Sequence, residues 1–131
     1  MIKQPYKIVV FGKEGCQKCH TLNQRIDKML TRDEWKDFSK AYVDVLTEQG
    51  LIEFCNTECI NPQRIPAMTV QRLNKETNTY EYIPNPHHNS VDEACGSFKL
   101  YTYLGVQTDY TTTGTITPKM IKSILTSAQT N

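Results

Sequence analysis

Tyr6-Lys7-Ile8-Val9-Val10-Phe11-Gly12-Lys13-Glu14-Gly15-Cys16-Gln17-Lys18-Cys19-His20 is the stretch whose reading decides the fold. Residues 6–11 form a β-branched, largely apolar run that stops at Gly12, the mark of a buried strand at the centre of a sheet. Residues 12–15, with a glycine at either end, make a turn. From Cys16 onward the period changes. Cys19, Leu22, Ile26, Met29 and Leu30 recur at helical spacing on one face, and Gln17, Lys18, Asn23, Gln24, Asp27 and Lys28 fill the other. The first two cysteines therefore sit where a strand hands over to a helix.

Working outward, Thr31-Arg32-Asp33-Glu34 has the form of a capping box and predicts a short helix carrying Trp35 and Phe38. Residues 41–45 predict a second strand. Thr47 predicts the cap of another helix, with Leu51, Phe54 and Cys55 on its inner face. Ile65-Pro66 leads into a third strand over 67–73, followed by a turn at 74–78 and a hairpin partner at 79–83. Residues 84–97 hold two prolines, two histidines and a glycine without a period, and read as an inserted loop. Residues 98–104 alternate as a fifth strand, and the threonine-rich 106–114 reads as strand or loop. Thr117 and Pro118 supply an N-cap and a first-turn proline to a last helix whose apolar face is Met120, Ile121, Ile124 and Leu125.

The 131 residues suit one domain. Fifteen Lys and Arg against fourteen Asp and Glu leave a net charge of +1, so no basic field exists to hold a nucleic acid. The longest apolar run, residues 8–11, is far too short to span a bilayer. Residues 1–5 lack the apolar stretch of a secretory leader, which sets a cytoplasmic location as the expectation. Five cysteines, an odd number, do not describe a disulfide scaffold there. Cys16 and Cys19 form a C-x-x-C, Cys55 and Cys59 a C-x-x-x-C, and Cys95 stands alone. Such thiols are redox groups, metal ligands or small core residues. Zinc on the two pairs is one option, against which stand their wide separation and the missing glycine of a second knuckle. His87, His88 and Cys95 are another candidate cluster, set against an exposed polar loop. Cys16 to His20 also matches a c-type haem attachment site, which the preceding buried strand and the missing leader oppose. His20 then reads as an exposed second-turn residue, and Cys55 as a core residue.

The predicted order, β-α-(α)-β-α-β-β-(insert, β)-α, resembles that of the thioredoxin-like superfamily, and residues 12–20 resemble the active-site stretch of glutaredoxins. They look still more like the NrdH redoxins, which pair a glutaredoxin-like sequence with thioredoxin-like activity. The resemblance covers residues 6–30, extends to Ile65-Pro66-Ala67 and the hairpin behind it, and fades over 84–116. It departs from thioredoxins at Gly15, where they carry Trp; at Gln17-Lys18, where they usually carry Gly-Pro; and at Val10, where they bury an acid. The Gly-Gly and acidic pair with which glutaredoxins hold glutathione has no counterpart near the last helix. Residues 111–115 offer hydroxyls without fixed charge, so weak glutathione capture is expected.

The resemblance implies an α/β fold, a central mixed sheet flanked by helices, in a single domain over 1–131 with an enlarged region at about 84–114. It implies a thiol–disulfide oxidoreductase with Cys16 and Cys19 as catalytic residues. Exchange needs an exposed thiolate to attack and a second thiol to resolve the mixed disulfide. Cys16, at a helix N-terminus near Lys13 and Lys18, with Glu14 working against them, gains from the positive end of the helix dipole, and its pKa is expected below the ~8.5 of a free thiol. Cys19, on the apolar face, stays protonated until exchange begins. The family places a cis proline beside the disulfide, here Pro66, with the extended backbone of Ile65 pairing with a substrate strand. Lys13, Gln17 and Lys18 complete the expected substrate site, and Arg64 borders the same groove. The implied partners are a disulfide-bearing client protein, ribonucleotide reductase among them, and a reductase or low-molecular-weight thiol for recycling. No cofactor, metal, nucleic acid or membrane is expected, and the chain is expected to be a monomer. The alternative is a protein-binding module on the same scaffold, its enlarged region docking a partner and its cysteines holding zinc or idle.

Overall fold

The computed structural model describes residues 4–57, 65–84, 103–107 and 116–130. Its elements are β1 (Tyr6–Gly12), α1 (Gln17–Met29), a single 3-10 turn (Asp33–Trp35), β2 (Phe38–Asp44), α2 (Glu48–Thr57), β3 (Ala67–Asn74), β4 (Thr79–Tyr82), β5 (Gly105–Gln107) and α3 (Pro118–Thr130). Among the described residues the strands form one five-stranded mixed sheet in the order β2-β1-β3-β4, with β5 also on β3.

β1 is central, as its unbroken apolar run requires. It pairs in parallel with β2, Tyr6 opposite Phe38 through Gly12 opposite Asp44, and antiparallel with β3, Tyr6 opposite Arg72 through Phe11 opposite Ala67. The parallel pair needs a crossover, which α1 supplies. β4 and β5 share the outer edge of β3: β4 pairs with residues 71–74 and β5 with 67–69. The change of partner falls at Val70, whose N–H donates to the Leu104 carbonyl and whose own carbonyl accepts from Ile83 N–H.

Alternation along β1 builds two cores. Ile8 and Val10 face a larger cluster with Leu22, Ile26 and Met29 of α1, Met68 and Val70 of β3, and Ile121, Leu125 and Ala128 of α3. Val9 and Phe11 face a smaller one with Val45, Phe54, Ile65, Ala67 and Cys19. A mixed sheet between helices, with a cysteine pair opening the first helix and a cis proline before β3, is the thioredoxin-like fold.

Several local expectations are corrected. Thr31 does not open a helix: its hydroxyl donates back to the Lys28 carbonyl at the end of α1, and only the 3-10 turn follows, with no side-chain cap. Phe38 belongs instead to β2, which starts three residues before the predicted strand because Phe38 stacks on Tyr6 with centroids 4.9 Å apart. On α2 the inner face is Gly50 and Phe54, and Leu51 is 43% exposed. Met120 likewise points outward, leaving Ile121, Leu125 and Ala128 as the buried stripe of α3. Thr117 does cap α3, accepting from Met120 N–H at 3.2 Å. Of the predicted strand over 98–104 only Tyr103 and Leu104 are described, and β5 overlaps the start of the stretch 106–114 read as strand or loop. The rest of the predicted insert, and Cys59, Arg64, His87, His88 and Cys95, lie outside the described residues.

Candidate active site

The site lies at the end of β1 that delivers the chain into α1. Gly15 has φ +73°, in the left-handed region that a side chain disfavours, and this turns the chain so that Cys16 becomes the N-cap of α1. Cys16 and Cys19 form a disulfide with Cα atoms 5.2 Å apart, inside the usual range for such bridges. Cys19 N–H donates to Cys16 Sγ at 3.1 Å, so the sulfur takes the place a capping oxygen would hold. The first turn carries no acidic residue, so nothing there offsets the positive helix end.

The two cysteines differ sharply in access. Cys16 is half-buried, while Cys19 is 1% exposed and belongs to the smaller core with Phe11, Phe54 and Ile65. Cys16 packs against that same cluster. Ile65 and Pro66 are buried and joined by a cis peptide, as the resemblance implied. The structure thus gathers the cysteine pair and the Ile65 side chain around one cluster.

A cleft of about 230 Å³ opens beside the disulfide, lined by Lys13, Glu14, Gly15, Cys16, Cys19, His20, Asn23 and Tyr42. Lys13 is the predicted substrate residue that lines it. Gln17 is exposed and Lys18 half-buried in the first turn of α1, and neither lines this cleft. Val10, where thioredoxins bury an acid, is fully buried in the larger core. Lys40 of β2 donates to Asn23 and pairs with Asp27, fastening the edge strand to α1 just behind the cleft.

Tyr42 is the residue that sequence reasoning missed. Tyr42 is 43% exposed on the edge strand; partial desolvation, then the charges of Asp44 and Glu14, hold its phenol above the ordinary tyrosine range, so it stays protonated at neutral pH. Only the parallel register of β2 on β1, which sets Tyr42 against Val10, brings it to the cysteines, and no local motif announces that register. Among the described residues no group of three His, Cys, Asp or Glu gathers as a metal site, and no helix is long and apolar enough to cross a membrane.

No protein-family model matches the chain, and no curated protein matches it either. Among solved structures it is similar to the poxviral disulfide oxidoreductase essential for cytoplasmic disulfide bond formation, at 12% identity and a TM-score of 0.37, over 94% of this chain and 91% of that one.

Proposed function

We propose that this chain is a small dithiol–disulfide oxidoreductase that reduces protein disulfides, with Cys16 attacking and Cys19 resolving. One observation carries the reading: a disulfide links a half-buried Cys16 at the N-terminus of α1 to a Cys19 sunk in the core. A sulfur at a helix N-terminus is favoured as thiolate, and one in an apolar cluster is kept as thiol. In the reduced protein the Cys16 thiolate attacks one sulfur of the client disulfide, forms a mixed disulfide and releases the first client thiolate. Cys19 then gives up its proton to solvent and attacks Cys16 Sγ, and the second client thiolate leaves. Two electrons pass from the pair to the client, and the Cys16–Cys19 disulfide is restored.

In this reading the backbone of Ile65, biased to extended conformations by Pro66, is the segment set against a client strand, and Lys13, Gln17 and Lys18 border the approach. Residues 12–20 resemble the redoxins, and this reading takes ribonucleotide reductase as a client and a thioredoxin reductase, rather than glutathione, as the electron source.

The experiment is reduction of insulin disulfides by the purified protein, coupled to a thioredoxin reductase system and to glutathione in turn. Turnover is expected with the reductase and little with glutathione; saturable turnover with glutathione alone overturns the recycling assignment. The Cys19→Ser variant is expected to accumulate mixed disulfides on Cys16, read by mass spectrometry. Adducts mainly on Cys55, Cys59 or Cys95 overturn the roles given to the pair.

A further inference from the structure

Resolution asks Cys19 to become a thiolate where a charge is hardest to hold. Cys19 is 1% exposed among Phe11, Phe54, Val9 and Ile65, and an ionised group in such surroundings needs a hydrogen-bond donor. Its own backbone N–H is committed to Cys16 Sγ. The side chain of Val10, in the larger core, has no polar atom to offer.

Tyr42 reaches this point from the edge strand. A Cβ placed on Gly12 would lie 2.5 Å from the Tyr42 hydroxyl and 3.1 Å from Cys19 Cβ. The phenol oxygen and Cys19 Cβ are therefore no farther apart than the sum of those distances, with only a glycine between them. Both residues line the cleft beside the disulfide. Among the described residues the Tyr42 hydroxyl has no hydrogen-bond partner, whereas the Asp44 carboxylate beside it is engaged by Leu46 N–H.

We propose that Tyr42 is a positioning residue for the resolving step: once the disulfide is open, its hydroxyl donates a hydrogen bond to Cys19 Sγ and stabilises the thiolate that attacks Cys16. In the oxidised form the sulfurs are tied to each other and the donor waits. Asp44 and Glu14 disfavour a tyrosinate, so Tyr42 gives a hydrogen bond and keeps its proton. The proton of Cys19 leaves to solvent through the cleft, Cys19 Sγ bonds to Cys16 Sγ, and the client sulfur departs with the electron pair of the broken bond. Gly12 is glycine, in this account, because any side chain there would displace the hydroxyl. The inference rests on the dithiol reading above.

The test separates attack from resolution. Reduced protein is mixed with one equivalent of dithiobis(nitrobenzoate), which releases one coloured thiolate when Cys16 attacks and a second when Cys19 resolves. In Tyr42→Phe, which keeps the ring and removes only the hydroxyl, the first phase is expected to be unchanged and the second roughly tenfold slower, the loss of one hydrogen bond to a charged group. Cys19→Ser should show the first phase alone. Identical second phases in wild type and Tyr42→Phe overturn the role of Tyr42 and leave the dithiol reading standing. Equal slowing of both phases, or a lower melting temperature of the oxidised variant, assigns Tyr42 a merely structural role and also overturns it. A wild-type protein without a second phase overturns the dithiol reading itself, and this inference with it.

Discussion

Gly15 carries the turn that presents Cys16, and its constraint is conformational rather than steric. Its φ is +73°, and a Cβ added there would meet nothing within 4 Å. Gly15→Ala should therefore fold with the same contacts but lose about 1 kcal/mol, the penalty of an L side chain held at positive φ. The measurement is the urea midpoint of the oxidised protein, expected to fall with an unchanged slope. The place of Cys16 and Cys19 at the start of α1 and of Ile65-Pro66 before β3 was legible in the sequence because a C-x-x-C after an apolar strand and an X-Pro before another are local signals. Tyr42 was not. Its reach to Gly12 depends on which residue of β2 lies beside which residue of β1, and that is a long-range fact.

At the scale of elements, α2 shows how a helix is seated by a cap and a gap. Thr47 Oγ1 accepts from Gly50 N–H at 3.0 Å and donates to the Asp44 carbonyl at 2.7 Å, which joins the end of β2 to the first turn of the helix. Gly50 lets that turn press onto the Asp44 backbone, with which any Cβ there would collide. Phe54, one turn on, then meets Phe11 edge to face at 5.5 Å. Thr47→Ala should destabilise the protein by about 1 kcal/mol, as a lost N-cap does, with amide exchange accelerated in α2 before α1. Equal protection of α2 in the variant would count against this seating. Leu51 misled the sequence reading because hydropathy gives a glycine no weight. The helix is turned by the small residue that approaches most closely, and Leu51 is carried to the outside.

At the scale of the whole molecule, the hairpin edge is tied to the helix layer through Tyr82. Its hydroxyl donates to Glu53 Oε1 of α2 at 3.4 Å, and its ring lies 5.3 Å from that of Tyr103. Burial, then the Glu53 carboxylate, raise the Tyr82 pKa far above its ordinary value of 10.0. The unfolded chain therefore ionises this tyrosine first. The stability that depends on the neutral phenol is present in full below about pH 10 and declines as pH rises beyond it. Tyr82→Phe should flatten that decline, seen as a smaller loss of urea midpoint between about pH 9 and about pH 11 than in the wild type. A decline as steep as the wild type's would show that other groups govern the alkaline limb.

The sequence by itself determined what depends on neighbours along the chain. The apolar run of residues 8–11 in β1, the stripe of Cys19, Leu22, Ile26 and Met29, the caps at Thr47 and Thr117, and the unequal surroundings of Cys16 and Cys19 are each written within a few residues, because helix period, strand burial and capping are short-range physics. Tertiary structure alone decided the rest. Phe38 was drawn from a predicted helix into β2 by Tyr6, the partner of β3 changes from β4 to β5 at Val70, and Tyr42 was set beside Cys19 across Gly12. Each of these is a contact between segments far apart in the chain, and its position depends on sheet register, which a single strand does not encode.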